Sequence, residues 1–182
     1  MSKIILVTGG ARSGKSTFAE KYIAEHGSSI AYIATSQVYD EEMAYRVKLH
    51  RQRRPAGWQT FEAPFDAHKA LKEAFAAHDA VLFDCITLYL SNYLCTEEAS
   101  VSKMAQLTEH VRLMMQQLTE AVRSSGSGRL AVFVTNEVGA GIVPENALAR
   151  CYRDLAGIAN QYMAAQADEV YLSVAGIPLK IK

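Results

Sequence analysis

The apolar run Ile4-Ile5-Leu6-Val7 leads almost directly into Gly9-Gly10-Ala11-Arg12-Ser13-Gly14-Lys15-Ser16. That is the pattern G-x-x-x-x-G-K-[ST], a phosphate-binding loop set between a strand and a helix. The glycines let the backbone turn tightly and aim its N–H groups inward at an anion. Lys15 adds positive charge, and the Ser16 hydroxyl suits Mg²⁺. The following Thr17-Phe18-Ala19-Glu20-Lys21-Tyr22-Ile23 suits a helix whose N-terminus faces the same anion. Gly9, Gly10, Ala11, Arg12, Ser13, Gly14, Lys15 and Ser16 are therefore read as the cradle of a nucleoside triphosphate with magnesium. The competing reading is a glycine-rich turn that binds nothing, and the apolar run before the loop weighs against it.

Short apolar runs alternate with amphipathic stretches along the rest of the chain. Strands are expected at Ile4–Val7, Ile30–Ala34, Ala80–Phe83, Leu130–Thr135 and Val170–Val174, with Pro178–Ile181 as an edge strand. Helices are expected near 15–26, 39–54, 65–77, 101–124 and 145–165. Met104, Leu107, Val111, Met114, Leu118 and Val122 recur at helical spacing, which reads as a core face. The alternation implies an α/β fold with a largely parallel sheet covered on both faces. Ser124-Ser125-Gly126-Ser127-Gly128 is too short for a domain linker. One domain over residues 1–182 is expected, and 182 residues suffice for a sizeable core.

Lys plus Arg number 19 and Asp plus Glu number 19, a balance that argues against a dedicated nucleic-acid binder. Cys85, Cys95 and Cys151 are scattered, with no C-x-x-C, which reads as reduced thiols in a cytoplasmic protein. The first apolar run is too short for a signal peptide, and no run reaches the length of a membrane helix.

Three further stretches carry chemistry. Ala80-Val81-Leu82-Phe83-Asp84 is an apolar strand ending in a carboxylate. In loop proteins of this kind such an Asp holds Mg²⁺ or serves as a base; the other reading is a cap on the segment beginning Cys85-Ile86. Leu130–Thr135 is followed by Asn136-Glu137-Val138-Gly139-Ala140-Gly141, at the strand end where ligands bind. Glu137 either orients water or substrate there, or sits in an ordinary loop. On a helix, Met43, Val47 and His50 share one face, so His50 points inward with Arg51, Arg53 and Arg54 crowded nearby. Pro55 ends that helix. Such a histidine is either a satisfied core residue or a nitrogen nucleophile beside a polyphosphate. The guanidinium groups would hold phosphate oxygens.

Taken together, LVTGGARSGKS (6–16), YIATSQ (32–37), D-E-E-M-A-x-R-V-x-x-H (40–50), RRPAGW (53–58), TNEVGAGIVPEN (135–146), R-D-L-A-G-I-A-N-Q (153–161) and ADEVYL (167–172) resemble one family in order and spacing. It is the bifunctional adenosylcobinamide kinase/adenosylcobinamide-phosphate guanylyltransferase family of cobalamin biosynthesis. The resemblance implies a P-loop fold with a RecA-like, mostly parallel sheet. It implies two reactions: phosphorylation of the aminopropanol hydroxyl of adenosylcobinamide with ATP or GTP, then transfer of GMP from GTP onto that phosphate. The products are adenosylcobinamide-GDP and pyrophosphate. The family's GMP–histidine intermediate maps onto His50. By position, Ala34, Thr35 and Ser36 match a guanine-nucleotide contact region. Arg51, Gln52, Arg53 and Arg54 match a segment near the histidine, and Glu62 a further nucleotide contact. Asp84 stands where relatives often have Glu, so its role in nucleotide and magnesium binding keeps both readings open. The resemblance also implies a homotrimer. Two other classes compete: a single-activity kinase with a structural His50, and a GTP-dependent switch, against which the chain has no N-K-x-D sequence.

Overall fold

A computed structural model describes residues 1–37, 41, 44–45, 47–49, 55, 57–96 and 103–182. Its strands are β1 (Lys3–Gly9), β2 (Ile30–Ala34), β3 (Gln59–Glu62), β4 (Ala80–Asp84), β5 (Leu130–Val134), β6 (Glu169–Val174) and β7 (Ile177–Lys180). The long helices are α1 (Lys15–His26), α2 (Ala67–Ala77), α3 (Ile86–Thr96), α4 (Met104–Arg123) and α5 (Ala147–Gln166). Residues 41, 44–45 and 47–49 are helical as well.

The strands form one sheet in the order β3-β2-β4-β5-β1-β6-β7. All neighbours are parallel except β6 and β7. The inner strands are buried on both faces, which is why they read as unbroken apolar runs. Side chains alternate across the sheet. Ile5, Val7, Leu82 and Val132 face α1, where Ala19, Tyr22 and Ile23 cover them. Ile4, Leu6, Val81, Phe83 and Phe133 face the other way, under residues of α2, α3, α4 and α5. The stripe expected on α4 is buried at Leu107, Val111, Met114, Leu118 and Val122. The Asn146 side chain caps α5 by accepting from the Ala149 N–H at 3.0 Å.

Two elements were not expected from the sequence. β3 is an edge strand, exposed or half-exposed along its length, so it carries no apolar run. α3 is buried at Ile86, Thr87, Tyr89, Leu90, Asn92 and Leu94, so it shows little contrast between faces.

β6 and β7 form a hairpin through Ala175 and Gly176, both at positive φ (51° and 83°), which suits a tight two-residue turn. Pro178 and Lys180 on β7 blunt that edge against further strand pairing.

After β1 the chain crosses past β5 and β4 to reach β2; after β5 it crosses back past β1 to β6. The topological switch therefore lies beside β1. In open sheets of this kind, ligands bind at the carboxyl ends of the strands, at such a point.

Candidate functional site

Parallel register brings Ala34, Glu62, Asp84 and the start of the phosphate loop to one end of the sheet. Ala34 pairs with Glu62 on one side and Asp84 on the other. Asp84 pairs with Val134, and Val134 with Val7. β1 then ends at Gly9, opposite Ser173.

The loop from Gly9 to Gly14 turns through backbone that ordinary residues rarely adopt. Gly14 has φ 90° and Arg12 φ 57°. The Ser13 N–H donates to the Gly10 carbonyl at 3.2 Å, and the Phe18 N–H donates to the Gly14 carbonyl at 3.0 Å as α1 begins. Gly10, Ala11 and Arg12 are exposed, so the mouth of the loop faces solvent, while Ser13 is buried. Ser13 Oγ has no hydrogen-bond partner among the described residues. Ser16 lies half-buried in the first turn of α1.

The hairpin turn braces this loop from behind. Gly176 N–H and Ser173 Oγ both donate to the Ser13 carbonyl, at 2.9 and 2.8 Å. A side chain on Gly14 would put its Cβ 2.9 Å from the Gly176 Cα. None of these contacts was expected from the sequence, because Ser173 lies 160 residues from Ser13 and Gly176 lies farther still.

Lys15 is 9% exposed, and its Nζ donates to the Gly10 carbonyl at 3.0 Å. Burial pushes its pKa down, while the Asp84 charge opposes that shift. Asp84 is thus close enough to act on the lysine electrostatically. Its Oδ2 also accepts from the Tyr32 hydroxyl at 2.7 Å.

A belt of side-chain hydrogen bonds runs beneath this edge. Thr8 Oγ1 donates to Glu137 Oε1 at 2.5 Å, and Asn160 Nδ2 donates to the same oxygen at 3.1 Å. Asn136 Nδ2 donates to Thr87 Oγ1 at 2.6 Å. Thr35 Oγ1 donates to the Cys85 carbonyl at 2.9 Å and accepts from the Cys85 N–H at 2.8 Å. Asn92 Nδ2 then donates to the carbonyls of Thr35, at 2.6 Å, and Pro64, at 3.0 Å. Thr35 is fully buried, so it holds the strand end while Ala34 and Ser36 stand half-buried on either side. Cys85 is buried too, and burial pushes its thiol up to about 11, leaving it neutral. Glu62 is exposed at the end of β3. His50, Arg51, Gln52, Arg53 and Arg54 lie outside the described residues.

Sequence reasoning missed Thr8, Asn92 and Asn160 as parts of this edge. Asn160 did carry a signal: it sits on the buried face of α5 with Leu155, Ala156, Ala159 and Met163, where a polar residue needs partners.

A glycine-rich loop on a central parallel strand, a buried lysine and a strand-end carboxylate define a P-loop nucleotide-binding protein. The fold agrees: the chain superposes on a prototypical ATPase from the type III secretion system of pathogenic bacteria with a TM-score of 0.60. That match has 11% identity and covers 98% of this chain and 56% of the other. By sequence, the family described as cobinamide kinase / cobinamide phosphate guanyltransferase matches residues 5–181. The bifunctional adenosylcobalamin biosynthesis protein CobU of Salmonella typhimurium is 44% identical over 98% of this chain and 99% of its own. Its Escherichia coli namesake is 42% identical over the same shares. The chain belongs to the cobinamide kinase / cobinamide phosphate guanyltransferase family.

Proposed function

We propose that this chain phosphorylates the aminopropanol hydroxyl of adenosylcobinamide and then guanylylates the product. The observation that carries the reading is the family match over residues 5–181, laid on a P-loop edge of matching chemistry. In the first reaction the substrate hydroxyl attacks the γ-phosphorus of ATP or GTP, and the nucleoside diphosphate leaves. In the second, a ring nitrogen of His50 attacks the α-phosphorus of GTP, and pyrophosphate leaves. A phosphate oxygen of adenosylcobinamide phosphate then attacks that phosphorus. His50 is regenerated, and adenosylcobinamide-GDP is released.

Gly9 to Ser16 hold the triphosphate. Lys15 contributes charge at the β- and γ-phosphates. Ala34, Thr35, Ser36 and Glu62 form the guanine-nucleotide region, with Thr35 fixing its two neighbours. Arg51, Gln52, Arg53 and Arg54 bind the nucleotide beside His50. Ser16 and Asp84, both half-buried, offer oxygen donors, the set that Mg²⁺ prefers. When bound, Mg²⁺ would neutralise charge on the β- and γ-oxygens. The proposed enzyme is a cytoplasmic homotrimer of one domain, residues 1–182, without nucleic-acid partners. The resemblance supports the trimer, the balanced charge the absence of nucleic acid, and the scattered cysteines the compartment. Among the described residues, no helix is long and apolar enough to cross a membrane.

GTP labelled at the α-phosphate tests the reading. With magnesium, label should remain on a peptide containing His50 and pyrophosphate should be released. His50→Ala should lose both the label and guanylyl transfer. Undiminished label in His50→Ala places the nucleophile elsewhere. Transfer of γ-label alone supports the single-activity kinase, and hydrolysis with neither product supports a switch.

A further inference from the structure

Glu137 lies just beyond the end of β5, beside the strand that carries the phosphate loop. Its N–H donates to the Gly9 carbonyl at 3.1 Å, which pins its backbone to the first residue of the loop. Its carboxylate is held as well. Both hydrogen bonds that it accepts, from Thr8 Oγ1 and Asn160 Nδ2, fall on Oε1. Those donors are themselves fixed. Thr8 is 4% exposed and Asn160 is 9% exposed. Asn160 Oδ1 accepts from Thr135 Oγ1 at 2.7 Å, and its Nδ2 also donates to the Asn136 carbonyl at 3.1 Å. Among the described residues, Oε2 accepts no hydrogen bond. The result is an oriented carboxylate with one oxygen anchored by buried donors and the other left for a further partner.

Its position gives that oxygen a use. Lys15 Nζ rests on the Gly10 carbonyl, so the ammonium that meets the terminal phosphates lies at the opening residues of the loop. Glu137 is anchored to the residue next to Gly10. Asp84, the proposed magnesium ligand, is at the end of the neighbouring strand, where its Oδ2 accepts from the Tyr32 hydroxyl.

We propose that Glu137 is the catalytic base of phosphoryl transfer to a substrate hydroxyl, with Asn160 and Thr8 as its positioning residues. This rests on the kinase half of the functional reading. As the hydroxyl oxygen forms its bond to the γ-phosphorus, its proton passes to Glu137 Oε2. The bond from that phosphorus to the β–γ bridging oxygen breaks. The nucleoside diphosphate leaves with the electron pair, and the proton then passes from Glu137 to solvent.

The test uses the full chain with ATP, magnesium and adenosylcobinamide. Glu137→Gln keeps an oxygen able to accept from Thr8 and Asn160, so the belt stays paired. Its kinase kcat should fall about a hundredfold to ten-thousandfold, the usual effect of removing a general base. Its affinity for a non-hydrolysable ATP analogue should stay near wild type. Thr8→Val, nearly the same shape, leaves the carboxylate but removes one anchor; it should lower kcat by less, again with affinity held. Wild-type kcat in Glu137→Gln overturns the assignment, and so does a loss of affinity as large as the loss of kcat. If the wild-type protein binds ATP but phosphorylates no adenosylcobinamide, the functional reading fails and this assignment with it. If the wild type phosphorylates it and Glu137→Gln matches it, only the role of Glu137 fails.

Discussion

Gly14→Ala should damage the phosphate loop and the hairpin together. Gly14 has φ 90°, a conformation that costs an ordinary residue about 1–3 kcal/mol. The new Cβ would also sit 2.9 Å from the Gly176 Cα, a backbone atom that cannot rotate aside. Restoring an ordinary contact of 3.5–4 Å requires the turn to withdraw by roughly half an ångström or more. That movement weakens the bonds from Gly176 N–H and Ser173 Oγ to the Ser13 carbonyl, each worth about 0.5–1.5 kcal/mol. With both bonds lost the total is about 2–6 kcal/mol, a large share of the stability of a typical domain. At this chain length it should lower Tm by about 4–24 °C. Urea titration, with the m-value checked for constancy, measures it. Gly10→Ala is the internal control: a Cβ there meets nothing within 4 Å, so stability should change by less than about 0.5 kcal/mol. Equal stability of the two variants would refute the reasoning.

Gly157 lies within α5, and a Cβ there meets nothing within 4 Å, so Gly157→Ala should raise stability by about 0.5–1 kcal/mol; a drop in the urea midpoint would contradict this. Glu169 accepts from the Tyr171 hydroxyl at 2.6 Å and pairs with Lys3, at 2.6 Å, and Lys180, at 3.3 Å. The bond from Lys3, then that from Tyr171, brings its pKa down from 4.5 to about 2. A carboxylate with a depressed folded pKa adds stability that is present above pH 4.5 and is lost as pH falls from there towards 2. Glu169→Gln should therefore be less stable than wild type at pH 6, and the gap should close through that window; a gap that stays constant down to pH 3 would count against the assignment.

The central sheet was legible because Ile4–Val7, Ala80–Phe83 and Leu130–Val134 are buried on both faces and so form apolar runs. The phosphate loop was legible because its chemistry is local. β3 escaped because an edge strand such as Gln59–Glu62 is stabilised by backbone pairing with β2, which leaves no mark on side-chain polarity. α3 escaped for the opposite reason: burial around much of its circumference erases the periodic contrast that marks a helix. The belt was only partly legible. Asn136 and Glu137 stand out at a strand end, but their partners Thr87 and Asn160 reach them from other elements. Only the fold sets those distances.

The brace on the phosphate loop bears on how the protein is made. Ser13 receives two of its anchoring bonds from Ser173 and Gly176, and 160 residues separate it from Ser173. Synthesis runs from the amino end, so the loop leaves the ribosome long before its support exists. A nascent chain that has already made β1 and α1 still lacks the turn that holds the Ser13 carbonyl in place. The nucleotide cradle therefore completes its native form only after Gly176 has cleared the exit tunnel. Until then, the strand end and helix start can form, but the loop between them is held from one side only.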